Sequence, residues 1–156
     1  MPIVTQNLRV ETMQELTTPA DLRAQFPLSE AALQTVQGGR SAIQRILKGE
    51  DDRVIAVTGP CSIHDPKAAL EYARKWQALR VECADTLEIV MRVYFEKPRT
   101  IGGWKGLIND PKLNGSFSIN EGLQEARELL LKINEMGLPV GTEFLDTAVP
   151  QYVADM

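Results

Sequence analysis

Cysteine is scarce: the 156 residues hold two, Cys61 and Cys83. Two are too few for a disulfide framework, and their spacing matches neither a zinc finger nor a redox pair. Long apolar runs are missing, so no stretch reaches the length of a membrane-crossing helix. The start, Met1-Pro2-Ile3-Val4-Thr5, lacks the basic stretch and apolar core of a secretory signal. Neither a P-loop nor a GxGxxG occurs, which removes the usual nucleotide-binding signatures. Positive charge is not in excess either: 17 Lys and Arg face 21 Asp and Glu, for a net charge of -4. That balance argues against general nucleic-acid or anionic-membrane binding, while leaving room for a local basic pocket. The expectation is a reduced, cytoplasmic protein with a small-molecule partner, no nucleic acid and no membrane.

What is present has an ordered rhythm. Residues 1 to about 18 are polar and irregular, with a short strand expected around Leu8 to Val10. Two helical patterns follow. The second runs from Ser29 to Leu47 with apolar Ala32, Leu33, Val36, Ile43, Ile46 and Leu47, and Gly38-Gly39 is expected to weaken it. Val54-Ile55-Ala56-Val57 then reads as a strand buried on both faces. Asp65 suits an N-cap and Pro66 a first helical position, opening a helix to about Cys83 with a stripe at Ala69, Tyr72, Ala73, Trp76 and Leu79. Leu87 to Phe95 reads as a second strand, Asn120 to Met136 as a helix and Leu138 to Leu145 as a third strand. Pro150 begins another helix. Strand, helix, strand, helix, strand is an α/β pattern, a βαβαβ unit with a parallel sheet. It suits an open doubly wound sheet or part of a (β/α)8 barrel, and in both the chemistry lies where strands end.

Chemically interesting residues fall at those ends. The first strand runs into Gly59-Pro60-Cys61-Ser62-Ile63-His64. Cys61 reads either as a small buried apolar residue or as a metal ligand or nucleophile, and His64 reads as a hydrogen-bonded loop residue. On the second strand Glu88, Val90, Arg92 and Tyr94 share a face. An arginine there is costly to bury unless it meets an anion. Lys97 and Arg99 follow, and the three cations together suit a doubly anionic ligand. The alternative is a solvated run paired with Glu88 and Glu96. Trp104 is either a lid residue or packing. Glu143 either orients a neighbour or forms a salt bridge to Arg92 or Lys97. The residues alone lead to an α/β protein with an anion pocket, with or without help from a metal.

Three strings go further. Gly59 to Pro66 (GPCSIHDP), Met91 to Thr100 (MRVYFEKPRT) and Gly103 to Pro111 (GWKGLINDP) together resemble the class I 3-deoxy-arabino-heptulosonate 7-phosphate (DAHP) synthases. Glu143-Phe144-Leu145-Asp146 and Pro150-Gln151-Tyr152 extend the resemblance over nearly the whole chain. It implies a (β/α)8 TIM barrel behind an N-terminal extension, with residues 1–50 as the extension and 51–156 as the first three strands and two helices. It implies condensation of phosphoenolpyruvate with erythrose 4-phosphate, releasing phosphate, in the first step of the shikimate pathway. A divalent metal such as manganese, iron or cobalt is implied, with Cys61 as a ligand. Arg92 is expected to bind phosphoenolpyruvate, and Lys97 to lie between the two substrates as the catalytic residue. Pro98, Arg99 and Thr100 are expected to hold the aldose phosphate, and Glu143 to lie beside the phosphoenolpyruvate. Pro150 and Gln151 match positions near a pocket for an aromatic amino acid inhibitor, and the full-length protein is expected to be a homo-oligomer. The sibling synthase of the eight-carbon sugar acid carries a KANRS-type motif, so Lys97-Pro98-Arg99-Thr100 favours the four-carbon aldehyde. Ile101-Gly102-Gly103 stands where the family pattern has Thr-Val-Gly, and Thr147 where one inhibitor-sensitivity subtype has methionine.

The same resemblance implies that the site is incomplete here. A barrel of this kind has eight strands and about 250 residues. Its other metal ligands, a histidine, a glutamate and an aspartate, lie on later strands, as do further phosphate-binding cations. The chain alone is therefore expected to bind metal weakly and to lack synthase activity. The alternative is a non-catalytic truncated or interaction module that pairs with a full-length synthase through its extension.

Overall fold

The computed structural model describes residues 6–8, 10, 12–99 and 101–156. The short strand expected around Leu8 to Val10 includes Arg9, which lies outside the described residues. Helix α1 covers Pro19–Gln25 and α2 covers Glu30–Leu47. Each starts on a hydroxyl cap: Thr18 accepts from the Asp21 N–H and Ser29 from the Ala32 N–H. Helix α2 runs straight through Gly38-Gly39. A side chain at 39 would meet Pro139, its Cβ 2.9 Å from the Pro139 ring. The lost helix propensity is thus offset by close packing of the helix on the chain entering the third strand.

Strand β1 is Val54–Thr58, α3 is Pro66–Glu82 and β2 is Leu87–Arg92. Asp65 caps α3 as expected, accepting from the N–H groups of Lys67 and Ala68. Helix α4 spans Ile119–Glu135, β3 is Val140–Gly141 and α5 is Pro150–Val153. The sheet has the order β1-β2-β3, and both pairings are parallel. Ile89, Met91, Val93 and Phe95 pack with Leu123, Ala126, Leu130 and Ile133 of α4 and with Ala69 and Ala73 of α3 in one core. Each fully buried leucine or isoleucine there contributes about 1.5–3 kcal/mol. Leu130→Ala would cost about 2–5 kcal/mol through the cavity it leaves.

Three expectations need correction, and one is the second strand, which ends at Arg92 rather than Phe95. The first strand is not buried on both faces: Val54 is 62% and Val57 60% exposed. The reason is topological, since β1 is an edge that pairs with β2 alone. The third strand is much shorter than Leu138 to Leu145. Backbone pairing continues through Met91 N–H to Pro139 O (2.8 Å) and Val93 N–H to Gly141 O (2.9 Å). Beyond that, the Glu143 carboxylate replaces a backbone carbonyl as the acceptor facing the chain that follows β2.

A buried arginine locks the periphery together. Arg127 on α4 is 0% exposed. It donates to Phe26 O at the end of α1 (3.0 Å), to Tyr152 O on α5 (2.7 Å) and to both oxygens of Asp155 (2.8 and 2.9 Å). Its hydrogen bonds and charge hold the Asp155 carboxyl below its ordinary range. No described helix is long and apolar enough to cross a membrane.

Candidate functional site

The three strand ends converge on one edge of the sheet. Gly59 leaves β1 at φ 152, and a Cβ there would strike the Arg92 carbonyl. Glycine thus lets the turn after β1 press against the end of β2. This contact sets Arg92, whose Nε and Nη2 donate to Gly59 O at 3.1 and 2.7 Å. The Arg92 Cζ also lies 5.3 Å from the centre of the Tyr94 ring.

Past Arg92 the chain turns toward the first strand end. The Lys97 ammonium reaches Cys61, with Nζ 3.2 Å from both the thiol sulfur and the carbonyl oxygen. Arg99 is exposed and its Nε donates to Trp104 O at 3.1 Å. Pro98 is exposed. Thr100 lies outside the described residues. Glu143 completes the edge. Its Oε1 accepts the N–H groups of Phe95 (3.0 Å) and Glu96 (2.7 Å), and its Oε2 accepts the Thr142 hydroxyl (3.2 Å).

This geometry decides between several readings. Glu143 is bonded to backbone, so the alternative of a salt bridge to Arg92 or Lys97 is set aside. The paired-charge alternative for the cations also falls. Glu88 is taken by Arg53 (2.7 Å) and Arg80 (2.9 Å), and Glu96 by Asn109. Among the described residues Arg92, Lys97 and Arg99 form no carboxylate ion pair. Cys61 is exposed rather than a buried apolar residue, and His64 is exposed as well. Trp104 is half-buried, packs on the core and donates from its ring nitrogen to Asp110 O at 2.7 Å. Pro150 and Gln151 stand apart from this edge, on α5 beside α1, where Arg23 donates to Gln151 O at 2.9 Å.

Sequence reasoning missed three participants. Tyr94 lies against Arg92, Gly59 O anchors it, and Glu96 is buried directly before Lys97. Burial pushes the Glu96 carboxyl above its ordinary value; the Asn109 hydrogen bond opposes this, and Asp146 and Glu143 add to it. The glycine-proline turn after β1 was a readable signal for Gly59, but nothing in the sequence marked its carbonyl as the Arg92 acceptor. A cavity of about 380 Å³ behind the same turn is lined by Gly59, Pro60, Ile63, Ala69 and Tyr72 among others. Arg92, Lys97 and Arg99 do not line it.

Cys61 offers one soft thiol donor, whereas a closed site needs about four donors. Among the described residues no three His, Cys, Asp or Glu side chains gather to hold an ion. The nearest charged group to the thiol is itself a cation, Lys97. These residues alone therefore do not fit a divalent metal. They do fit an anion: one half-buried guanidinium, one ammonium and one exposed guanidinium without carboxylate partners suit a ligand bearing carboxylate and phosphate.

The profile of the DAHP synthetase I family matches residues 18–156. The chain belongs to the DAHP synthetase I family. Its similarity to individual members of the family is high. It is 59% identical over 150 residues to the Phe-sensitive phospho-2-dehydro-3-deoxyheptonate aldolase of Escherichia coli, covering 96% of this chain and 43% of that protein. It is 51% identical over 152 residues to the Trp-sensitive aldolase of the same organism, covering 97% of this chain and 44% of that protein. Among solved structures, the phospho-2-dehydro-3-deoxyheptonate aldolase of Francisella tularensis superposes with a TM-score of 0.91 at 49% identity, over 94% of this chain and 43% of that one. The chain thus spans less than half the length of these members of the DAHP synthetase I family.

Proposed function

We propose that this chain supplies the first part of a DAHP synthase active site, in which phosphoenolpyruvate condenses with erythrose 4-phosphate and phosphate is released. The observation that carries this is the meeting of Arg92, Lys97 and Arg99, free of carboxylate ion pairs among the described residues, on one strand-end edge. In this reading the parallel sheet is the opening of a (β/α)8 barrel to which residues 51–156 contribute the first three strands and two helices, and residues 1–50 are its N-terminal extension.

The roles follow from position. Arg92, fixed by Gly59 O, presents its remaining guanidinium edge to the phosphoenolpyruvate carboxylate or phosphate. Lys97 lies between the substrates. Arg99, with Pro98 and Thr100, takes the aldose phosphate, and Glu143 holds the loop next to the phosphoenolpyruvate. The methylene carbon of phosphoenolpyruvate attacks the aldehyde carbon, and Lys97 gives a proton to the new alkoxide. Water adds to the cationic carbon, and phosphate leaves by C–O cleavage. Holding two anions in reacting geometry lowers the barrier by prepaying orientation. Cys61 would serve as one ligand of a divalent metal in the family-length protein, the other donors lying outside residues 1–156. Pro150 and Gln151 belong to an aromatic amino acid inhibitor site, and the family-length protein is a homo-oligomer.

The test is phosphate release from the two substrates, with and without EDTA, by these 156 residues and by the chain carried to the full length of its relatives. Activity is expected only at family length and only without EDTA. Turnover by the 156 residues alone would overturn the incomplete-site reading. No turnover at either length would overturn the substrate assignment.

A further inference from the structure

The loop that carries Lys97 and Arg99 is not held by its own strand, because β2 ends at Arg92. Glu143 holds it at Phe95 and Glu96, and the segment Gly103 to Asp110 holds it at Lys97 and Arg99. Leu107 and Ile108 anchor that segment in the core, at 0% and 2% exposure. Gly106, at φ 108, lies so close to the Phe95 carbonyl that any Cβ would collide with it. From this base the segment reaches both cations. The Lys105 carbonyl accepts the Lys97 N–H at 3.0 Å, and the Trp104 carbonyl accepts Arg99 Nε at 3.1 Å.

One side chain closes this arrangement. Asn109 Nδ2 donates to Lys105 O at 3.3 Å and to Glu96 Oε1 at 3.3 Å. Both neighbours are pure acceptors, so the amide nitrogen must face them. Glu96 is 8% exposed and its other oxygen, Oε2, is buried without a partner. Among the described residues, Asn109 is thus the one donor to a buried carboxyl directly preceding Lys97. A closed ring results: Lys97 N–H to Lys105 O, Lys105 O to the Asn109 amide, the amide to Glu96, and Glu96 back to Lys97 through the chain. Without the amide, the buried Glu96 carboxyl has no donor among the described residues, and any shift of that side chain bears on the adjoining Lys97.

We propose that Asn109 is a positioning residue for the aldose-phosphate half of the site, acting on Lys97 through Glu96 and Lys105. This rests on the reading of the site given above and extends it to a residue that touches neither substrate. Arg92 sits on β2 and is held by Gly59 O, outside the ring. The two substrates should therefore respond differently.

The experiment measures kcat and the KM of each substrate in the chain at family length, with melting temperature recorded alongside. Asn109→Leu is close in volume and removes both donors. It is expected to raise the KM for erythrose 4-phosphate, or lower kcat, about tenfold to a hundredfold, while the KM for phosphoenolpyruvate stays within about twofold. Should that variant not fold, Asn109→Ser is read on the same criterion. Glu96→Gln combined with Asn109→Asp puts a donor back between positions 96 and 109 with its direction reversed. It should recover part of what Asn109→Asp alone loses, a coupling visible in the double-mutant cycle. Equal shifts of both KM values, or a fall in melting temperature with kinetics unchanged, would overturn the proposal. If the unsubstituted protein releases no phosphate, the substrate assignment has failed and not the role of Asn109.

Discussion

Glu88 and Arg92 lie on the same face of β2, yet the molecule treats their charges in opposite ways. Glu88 is 1% exposed and clasped by Arg53 and Arg80, with Asp51 holding Arg53 from the other side at 2.8 Å. The buried charge at that end is matched by two arginines. At the other end Arg92 donates to a carbonyl, Lys97 to a thiol and a carbonyl, and Arg99 to a carbonyl. Among the described residues no carboxylate forms an ion pair with any of these three cations; Glu143 spends its oxygens on backbone N–H groups and the Thr142 hydroxyl. Carbonyls orient a cation without neutralising it, so the field at this end remains available to a ligand. One strand thus separates charge used for stability from charge kept for binding, and its two ends should fail in different ways.

The largest effect is expected at the unpaired end. Lys97→Ala in the family-length protein should lower kcat about a thousandfold or more, the scale of a lost proton donor, with melting temperature nearly unchanged. Near-normal turnover would remove Lys97 from the chemistry. Glu88→Gln tests the matched end: it leaves two arginines around a buried neutral group and should cost about 3 kcal/mol in urea denaturation. If substrate affinity falls instead of stability, the division between the two ends is wrong.

Glu143 bridges the two behaviours, being an acid that binds backbone. Glu143→Ala strands two partly buried N–H groups and should cost about 1–2 kcal/mol. Glu143→Gln keeps an oxygen acceptor and should cost less than half of that. Equal losses would show that the charge of Glu143 matters and not its hydrogen bonds.

The smallest effect concerns pH. Burial raises the folded-state pKa of Glu96 above its ordinary value of 4.5. The folded chain then holds this proton more tightly than the unfolded chain, so stability from this group declines as pH rises past that value. Relative to the parent, Glu96→Gln should gain stability on going from pH 4 to pH 7. A difference that is flat across that range would mean that Glu96 ionises as freely as in the unfolded chain.

Much of the architecture was legible in the chain. Asp65-Pro66 announced α3 through a side-chain cap and a preset φ, both local effects. The α4 stripe of Leu123, Ala126, Leu130 and Ile133 appeared as periodicity and is buried as expected. The strand bounds were less legible, because pairing depends on a partner strand. Leu138 to Leu145 looked like a full strand, yet it pairs only at Val140–Gly141. Val57 looked buried and is exposed because its strand is an edge. Arg127 carried no signal at all: a charged residue in a helix normally faces water, and only the meeting of α1, α4 and α5 makes it buried.

The sequence by itself determined that strands and helices alternate, and that Cys61, Arg92, Lys97 and Glu143 fall near strand ends. Those facts depend on neighbours along the chain. Only the tertiary structure decided that Lys97 meets Cys61, that Glu143 bonds backbone rather than a cation, and that Arg92 leans on Gly59. These contacts join residues 33 to 48 positions apart. They exist because two parallel pairings bring three strand ends to one edge, and parallel pairing is a property of the folded chain alone.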